Sequence, residues 1–238
     1  MIKHPVRDIF SQLPFRLRRS VLALTILSFI ALPIFANDDI KPISDDPKSL
    51  VKQGEKLIRR GDFAGAEQLF KRAIEARPSD SEIKLKLAFL YVKTRRFVEA
   101  YELAFPIARD EPKNSFAFAV VGSTYLGAGR FKDARLLLVN SLRIKNDQPL
   151  AWAGLGMLDF YENKISESLR NLQEAVFYQP FEPDFVYALA QVSARAEKYK
   201  EAAQAYEDFL RVSRNTDDER RARIKGLINF LRYLGNKQ

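Results

Sequence analysis

The sequence predicts an all-α solenoid of about five helix pairs closed by one capping helix. Three observations lead there. Residue types recur every 34 positions from residue 47 onward. Two places in that period are small in all five frames, and a third is large and apolar. Residues 217–234 then hold one more amphipathic segment, with apolar side chains at helical spacing. A single helix pair cannot bury its own apolar face, so pairs with this pattern must stack.

The chain opens with a leader over residues 1–36. Its front carries Lys3, Arg7, Arg16, Arg18 and Arg19 against one acid, Asp8, and Val21 to Ala36 is uncharged. A basic end, an apolar run and a small residue before a polar stretch form the order of a secretory signal peptide, with cleavage after Ala36. The 20-residue front is long for a signal, and an uncleaved N-terminal membrane anchor over residues 21–36 is the alternative. Either reading places the remainder outside the cytoplasm, exported to a periplasm or secreted, or held at the membrane. Residues 37–46 (NDDIKPISDD) lack periodicity and read as a flexible tether.

Five frames follow, 47–80, 81–114, 115–148, 149–182 and 183–216. Position 8 is Gly54, Ala88, Gly122, Gly156 and Ala190. Position 20 is Ala66, Ala100, Ala134, Ser168 and Ala202. Position 17 is Phe63, Phe97, Phe131, Ile165 and Tyr199. Small residues at 8 and 20 are expected to let the two helices of a pair approach closely, with the large group at 17 filling the space beside them. Gly61 and Gly129 mark the turn inside a pair, and Pro78, Pro112 and Pro180 stop the second helix. Pro106 falls inside a second helix and is expected to kink it.

These residues resemble the tetratricopeptide repeat family. The fourth frame has Trp152, Leu155 and Gly156, then Leu172, Ala175 and Pro180, and the first has Gly54, Ala66, Phe70, Ala73 and Pro78. Asp159 stands where the family has an aromatic residue. The resemblance implies a right-handed α-α superhelix whose first helices line a concave groove. It also implies that positions 2, 5, 9 and 13 of each repeat, on the first helix, face a ligand. A row of such residues follows: Leu85, Phe89 and Lys93, then Phe116 and Ser123, Met157 and Tyr161, and Tyr187, Gln191 and Arg195. Val51 and Glu55 in the first repeat do not match the family's grip on a C-terminal carboxylate.

Residues 217–234 read as a solvating cap, with Asp217 or Asp218 closing its N-terminus. Ile224, Leu227, Ile228, Leu231 and Leu234 would face the stack, leaving Arg220, Arg221, Arg223, Lys225 and Arg232 in water.

Composition argues against chemistry. The chain has no Cys, and its one His, His4, lies in the leader. Thiolate nucleophiles and His-based triads are therefore excluded from the part beyond residue 36. That part holds 34 basic and 29 acidic groups with signs mixed, a solvated surface more than a phosphate-binding stripe. No catalytic residue, metal site or cofactor is expected, and no nucleic-acid partner. The sequence thus reads as a non-catalytic exported scaffold or adaptor that binds a protein or peptide in its groove, in cell-envelope assembly or secretion. The alternative is the repeat arm of a multidomain exported enzyme, such as a peptidase, whose catalytic domain lies outside this chain. Oligomeric state is not legible.

Overall fold

Two turns, repeated, build the protein. The computed structural model describes residues 46–213 and 216–237. The expected signal or anchor over 1–36 lies outside the described residues, as does the expected tether up to residue 45. In order, the helices are α1 (Pro47–Arg60), α2 (Phe63–Ala76), α3 (Ser81–Lys93), α4 (Phe97–Asp110), α5 (Ser115–Gly127) and α6 (Phe131–Ile144). They continue with α7 (Pro149–Tyr161), α8 (Ile165–Tyr178), α9 (Pro183–Arg195), α10 (Tyr199–Val212) and α11 (Asp218–Gly235). The described residues contain no strand, and none of their helices is long and apolar enough to cross a membrane.

Inside each pair the chain reverses through one left-handed residue at position 15: Gly61, Arg95, Gly129, Asn163 and Glu197. That conformation lets the next amide reach five residues back, as in Asp62 N–H to the Leu57 carbonyl at 3.0 Å and Arg96 N–H to the Tyr91 carbonyl at 2.8 Å. Glycine adopts it freely, whereas Arg95 and Glu197 carry a side-chain penalty. Between pairs, proline opens a tight turn closed by a backbone hydrogen bond, Asp80 N–H to the Arg77 carbonyl at 3.1 Å and Asn114 N–H to the Glu111 carbonyl at 2.9 Å. The residue ending that turn also caps the next first helix, Asp80 accepting from Ile83 N–H and Asn114 from Ala117 N–H, and Asp46 caps α1 in the same way through Ser49 N–H. Helix α4 runs on through Pro106 to Asp110.

Position 20 is fully buried in all five repeats, and Ser168, the one hydroxyl there, donates to the Gly156 carbonyl at 2.7 Å. The partner of position 8 differs from the expectation. A Cβ on Gly54, Gly122 or Gly156 would meet Phe70, Leu138 or Leu172, each at position 24, at 2.6–2.8 Å. The helix crossing is thus set by a glycine under a large side chain one turn beyond position 20. In the second repeat both places are alanine, the buried Ala88 and Ala104.

Each second helix also packs on the next first helix, and α3, α5, α7 and α9 pack in succession against one another. Second helices make no comparably close row among themselves, so the stack curves toward the first helices. The first three junctions between neighbouring repeats share one recurring pair, position 21 with position 11 of the next repeat. Tyr91 donates to Glu67 at 3.0 Å under the Arg96 guanidinium, which sits 4.1 Å from the Tyr91 ring centre. Tyr125 stacks on Tyr101 at 5.6 Å, with Arg130 4.4 Å from its ring centre. At the third junction Arg135 pairs at 2.7 Å with the buried Asp159, whose other oxygen accepts from Asn171. The departure at Asp159 is therefore compensated by the cation at position 21 of the repeat before it.

The cap differs from the expectation by its outer side. Asp217 is the N-cap, accepting from Arg220 N–H at 2.8 Å, and Ile224, Ile228 and Leu231 are buried against α10. Leu227, Phe230 and Tyr233 remain exposed, so α11 keeps an apolar strip facing water instead of a purely polar one.

Candidate functional site

The row of first helices gathers the sequence-predicted residues on the inner side of the curve, but not all of them reach its surface. Leu85 is 1% exposed and Ser123 7%. The small Ala119 and Ala153, both buried, let α3, α5 and α7 lean together, and Leu85 fills the space they leave. Ser123 turns its hydroxyl back to the Ala119 carbonyl at 2.8 Å. Neither side chain can touch a partner. Phe89 and Phe116 are half-buried and meet edge to face, ring centres 6.1 Å apart. Met157 and Tyr187 are half-buried, Gln191 and Arg195 exposed. Tyr161 is the most open of the apolar members, 57% exposed, and lies flat on Phe131 with centres 5.6 Å apart and planes within 6°.

Lys93 does something the sequence did not reveal. From the C-terminal end of α3 its ammonium reaches the start of α9 and pairs with Glu182 and Asp184, each at 2.5 Å. Only 10% of the Lys93 side chain is exposed, and the Phe89 ring lies 5.5 Å from its nitrogen. The contacts join the second repeat to the end of the fourth and the start of the fifth, across 89 and 91 residues of sequence, in a fold where repeats otherwise touch their neighbours. Burial alone would lower the ammonium's pKa, but Asp184 and Glu182 more than reverse this and hold it above the ordinary lysine value. Lys93 is thus a charged latch across the inner face, not a free binding group.

The sequence carries no signal for Glu182 or Phe131. Glu182 ends an inter-pair turn, whereas Asp184 stands at position 2 of the fifth repeat, one of the ligand-facing positions that the family resemblance implies. Phe131 occupies position 17, which was read as interior. No local signal links Lys93 to residues so distant in sequence. Among the described residues no three His, Cys, Asp or Glu side chains could hold a metal ion. What the face offers is apolar and aromatic area with hydrogen-bonding groups at its edges.

With this geometry in view, the comparisons are direct. Two family models, both described as tetratricopeptide repeat, match residues 57–120 and residues 154–218, between them more than half of the chain. The chain belongs to the tetratricopeptide repeat family. Its fold matches the thermophilic tetratricopeptide repeat protein TTC0263 of Thermus thermophilus at a TM-score of 0.62 and 20% identity, covering 76% of this chain and 98% of that one. It also matches the structure of the APC/C hetero-tetramer Cut9-Hcn1 at 0.62 and 17%, over 85% of this chain and 39% of the other. Among curated proteins, the BBSome complex member BBS4 of Bos taurus is 24% identical over 149 residues, 63% of this chain. The inactive TPR repeat-containing thioredoxin TTL3 of Arabidopsis thaliana is 31% identical over 91 residues, 38% of this chain. The chain spans 29% and 13% of the lengths of those two relatives.

Proposed function

We propose that this tetratricopeptide repeat protein is a non-catalytic scaffold that holds a protein or peptide partner on its inner face, outside the cytoplasm, in cell-envelope assembly or secretion. The observation that carries the reading is the row Phe89, Phe116, Met157, Tyr161 and Tyr187, partly exposed aromatic and Met side chains on four successive first helices. Such groups supply large contact area at small entropic cost and anchor peptides and partner helices. Two similar proteins bear names that place them in complexes, the BBSome member and the Cut9-Hcn1 hetero-tetramer, which supports a binding role. The extracytoplasmic setting rests on the leader's charge and hydropathy.

The test is quantitative capture with the tagged full chain. Tyr161→Ala and Phe89→Ala should each weaken the retained partner by about 2 kcal/mol. Leu136→Ala, on the exposed side of a second helix, should leave it unchanged. Equal retention by all three would remove the inner face from the mechanism. N-terminal sequencing of protein recovered from cells addresses location: a start at Asn37 marks a cleaved signal, a start at Met1 an anchor.

A further inference from the structure

Where the last repeat meets the cap, α9, α10 and α11 enclose a concavity of about 310 Å3 lined by Tyr187, Tyr206, Arg220, Arg223, Ile224 and Leu227. That size lies at the small end of ligand sites, roughly 300–1,000 Å3. Its chemistry is asymmetric, with two guanidinium groups and two phenols but no carboxylate in the lining.

The Arg220 guanidinium makes no ion pair among the described residues. It rests on aromatic faces, 5.2 Å from the Tyr187 ring centre and 5.6 Å from that of Phe209. Those contacts orient the fork and leave its hydrogen-bond donors unspent. Asp217 feels both arginines, but its carboxyl is held below the usual range first by the Arg220 backbone N–H that it caps. Arg223 shares its charge with Glu219 at 3.1 Å, in an exposed pair. Tyr206 is 5% exposed, and its hydroxyl meets no hydrogen-bond partner among the described residues. Burial and the neighbouring Tyr187 push its pKa up to about 12, so it stays a donor at physiological pH. No buried side-chain polar atom of the described residues lacks a partner, so the Tyr206 hydroxyl opens to water in the concavity, as does the exposed Arg220 fork, and both have donors free for an entering acceptor.

We propose that this concavity is a subsite for one carboxylate carried on an apolar stem, supplied by a peptide partner. Arg220 and the Tyr206 hydroxyl donate to the carboxylate, Arg223 adds charge at the rim, and Ile224, Leu227 and the Tyr187 ring hold the stem. One free and one shared cation match a singly charged group better than a phosphate dianion. The proposal rests on the inner-face reading, because Tyr187 belongs to both, and it names the chemistry of one end of the bound peptide.

The experiment is a titration of the isotope-labelled full chain by NMR, reading the Tyr206 ring and the Arg220 and Arg223 side-chain signals. N-acetyl-leucine presents a terminal carboxylate, and N-acetyl-glutamate α-amide a side-chain one. N-acetyl-leucine amide keeps the stem without charge, and inorganic phosphate the charge without a stem. Saturable shifts with either carboxylate and none with the amide are expected, and the tighter carboxylate identifies its source. Arg220→Gln should weaken binding about tenfold or more, and Tyr206→Phe by a smaller factor at unchanged melting temperature. If Arg220→Gln fails to fold, Arg223→Gln serves as the second variant and should also weaken binding. Equal binding of the amide, preference for phosphate, or indifference to the arginine substitutions would overturn the subsite. The probes need no partner, so such a failure leaves the inner-face reading to its own test.

Discussion

At the scale of single residues, the repeat is governed by which side chain lies under which. Gly156 is the sharpest case, since a Cβ there would stand 2.6 Å from Leu172 Cγ and 3.3 Å from the Leu172 backbone nitrogen. Gly156→Ala should therefore lower stability by about 1–3 kcal/mol through overpacking, measured by urea unfolding. Arg95 presents the opposite situation, a long side chain in a left-handed turn at φ 62°. Arg95→Gly should raise stability by about 1 kcal/mol in the same assay. The sequence made the small residues at positions 8 and 20 visible because the helix crossing requires them in every repeat. It did not show that position 24 presses on position 8, because that place varies between Phe70, Ala104, Leu138, Leu172 and Tyr206.

At the scale of elements, one junction recurs with different chemistry. Tyr91 with Glu67, Tyr125 with Tyr101 and Asp159 with Arg135 occupy the same place between successive repeats. Asp159 is buried, so removing its cation leaves a charge without its partner. Arg135→Met should cost about 3 kcal/mol, and the double variant Arg135→Met with Asp159→Leu should recover most of it. From the sequence, Asp159 was legible only as a departure from the family pattern. Its compensation lay 24 residues earlier, at a place with no fixed residue type. The apolar strip on α11 escaped for a related reason. Leu227, Phe230 and Tyr233 share helical spacing with the buried residues, and periodicity does not say where a buried stripe ends.

At the scale of the whole molecule, the helix pairs and their limits follow from the period, but the closure of the inner face does not. Leu85 and Ser123 are withdrawn because three first helices lean together, and Lys93 is engaged because the curve brings α9 to it. Both are consequences of curvature, which no local pattern encodes. The latch has a signed pH dependence. With its folded pKa raised above 10.5, Lys93 contributes fully below that value, and its contribution is lost as pH rises through the elevated folded one. At the acid end, burial would raise the Glu67 carboxyl, but hydrogen bonds from Lys71, Tyr91 and Arg96 hold it below 4.5. Its contribution is present above 4.5 and fades as pH falls through the lowered value. Lys93→Met should cost about 3 kcal/mol at neutral pH and flatten the alkaline limb, leaving the acid limb in place.

Site-specific photo-crosslinking decides most directly whether the inner face is where a partner sits. A photoreactive amino acid is placed at Tyr161 or Met157 on the inner row and at Leu136 or Val98 on second helices, in the full chain in its native cells. Adducts to one shared partner from the inner positions, absent from the outer ones, are the expected result. Adducts confined to the second helices, with none from Tyr161 or Met157, would contradict it.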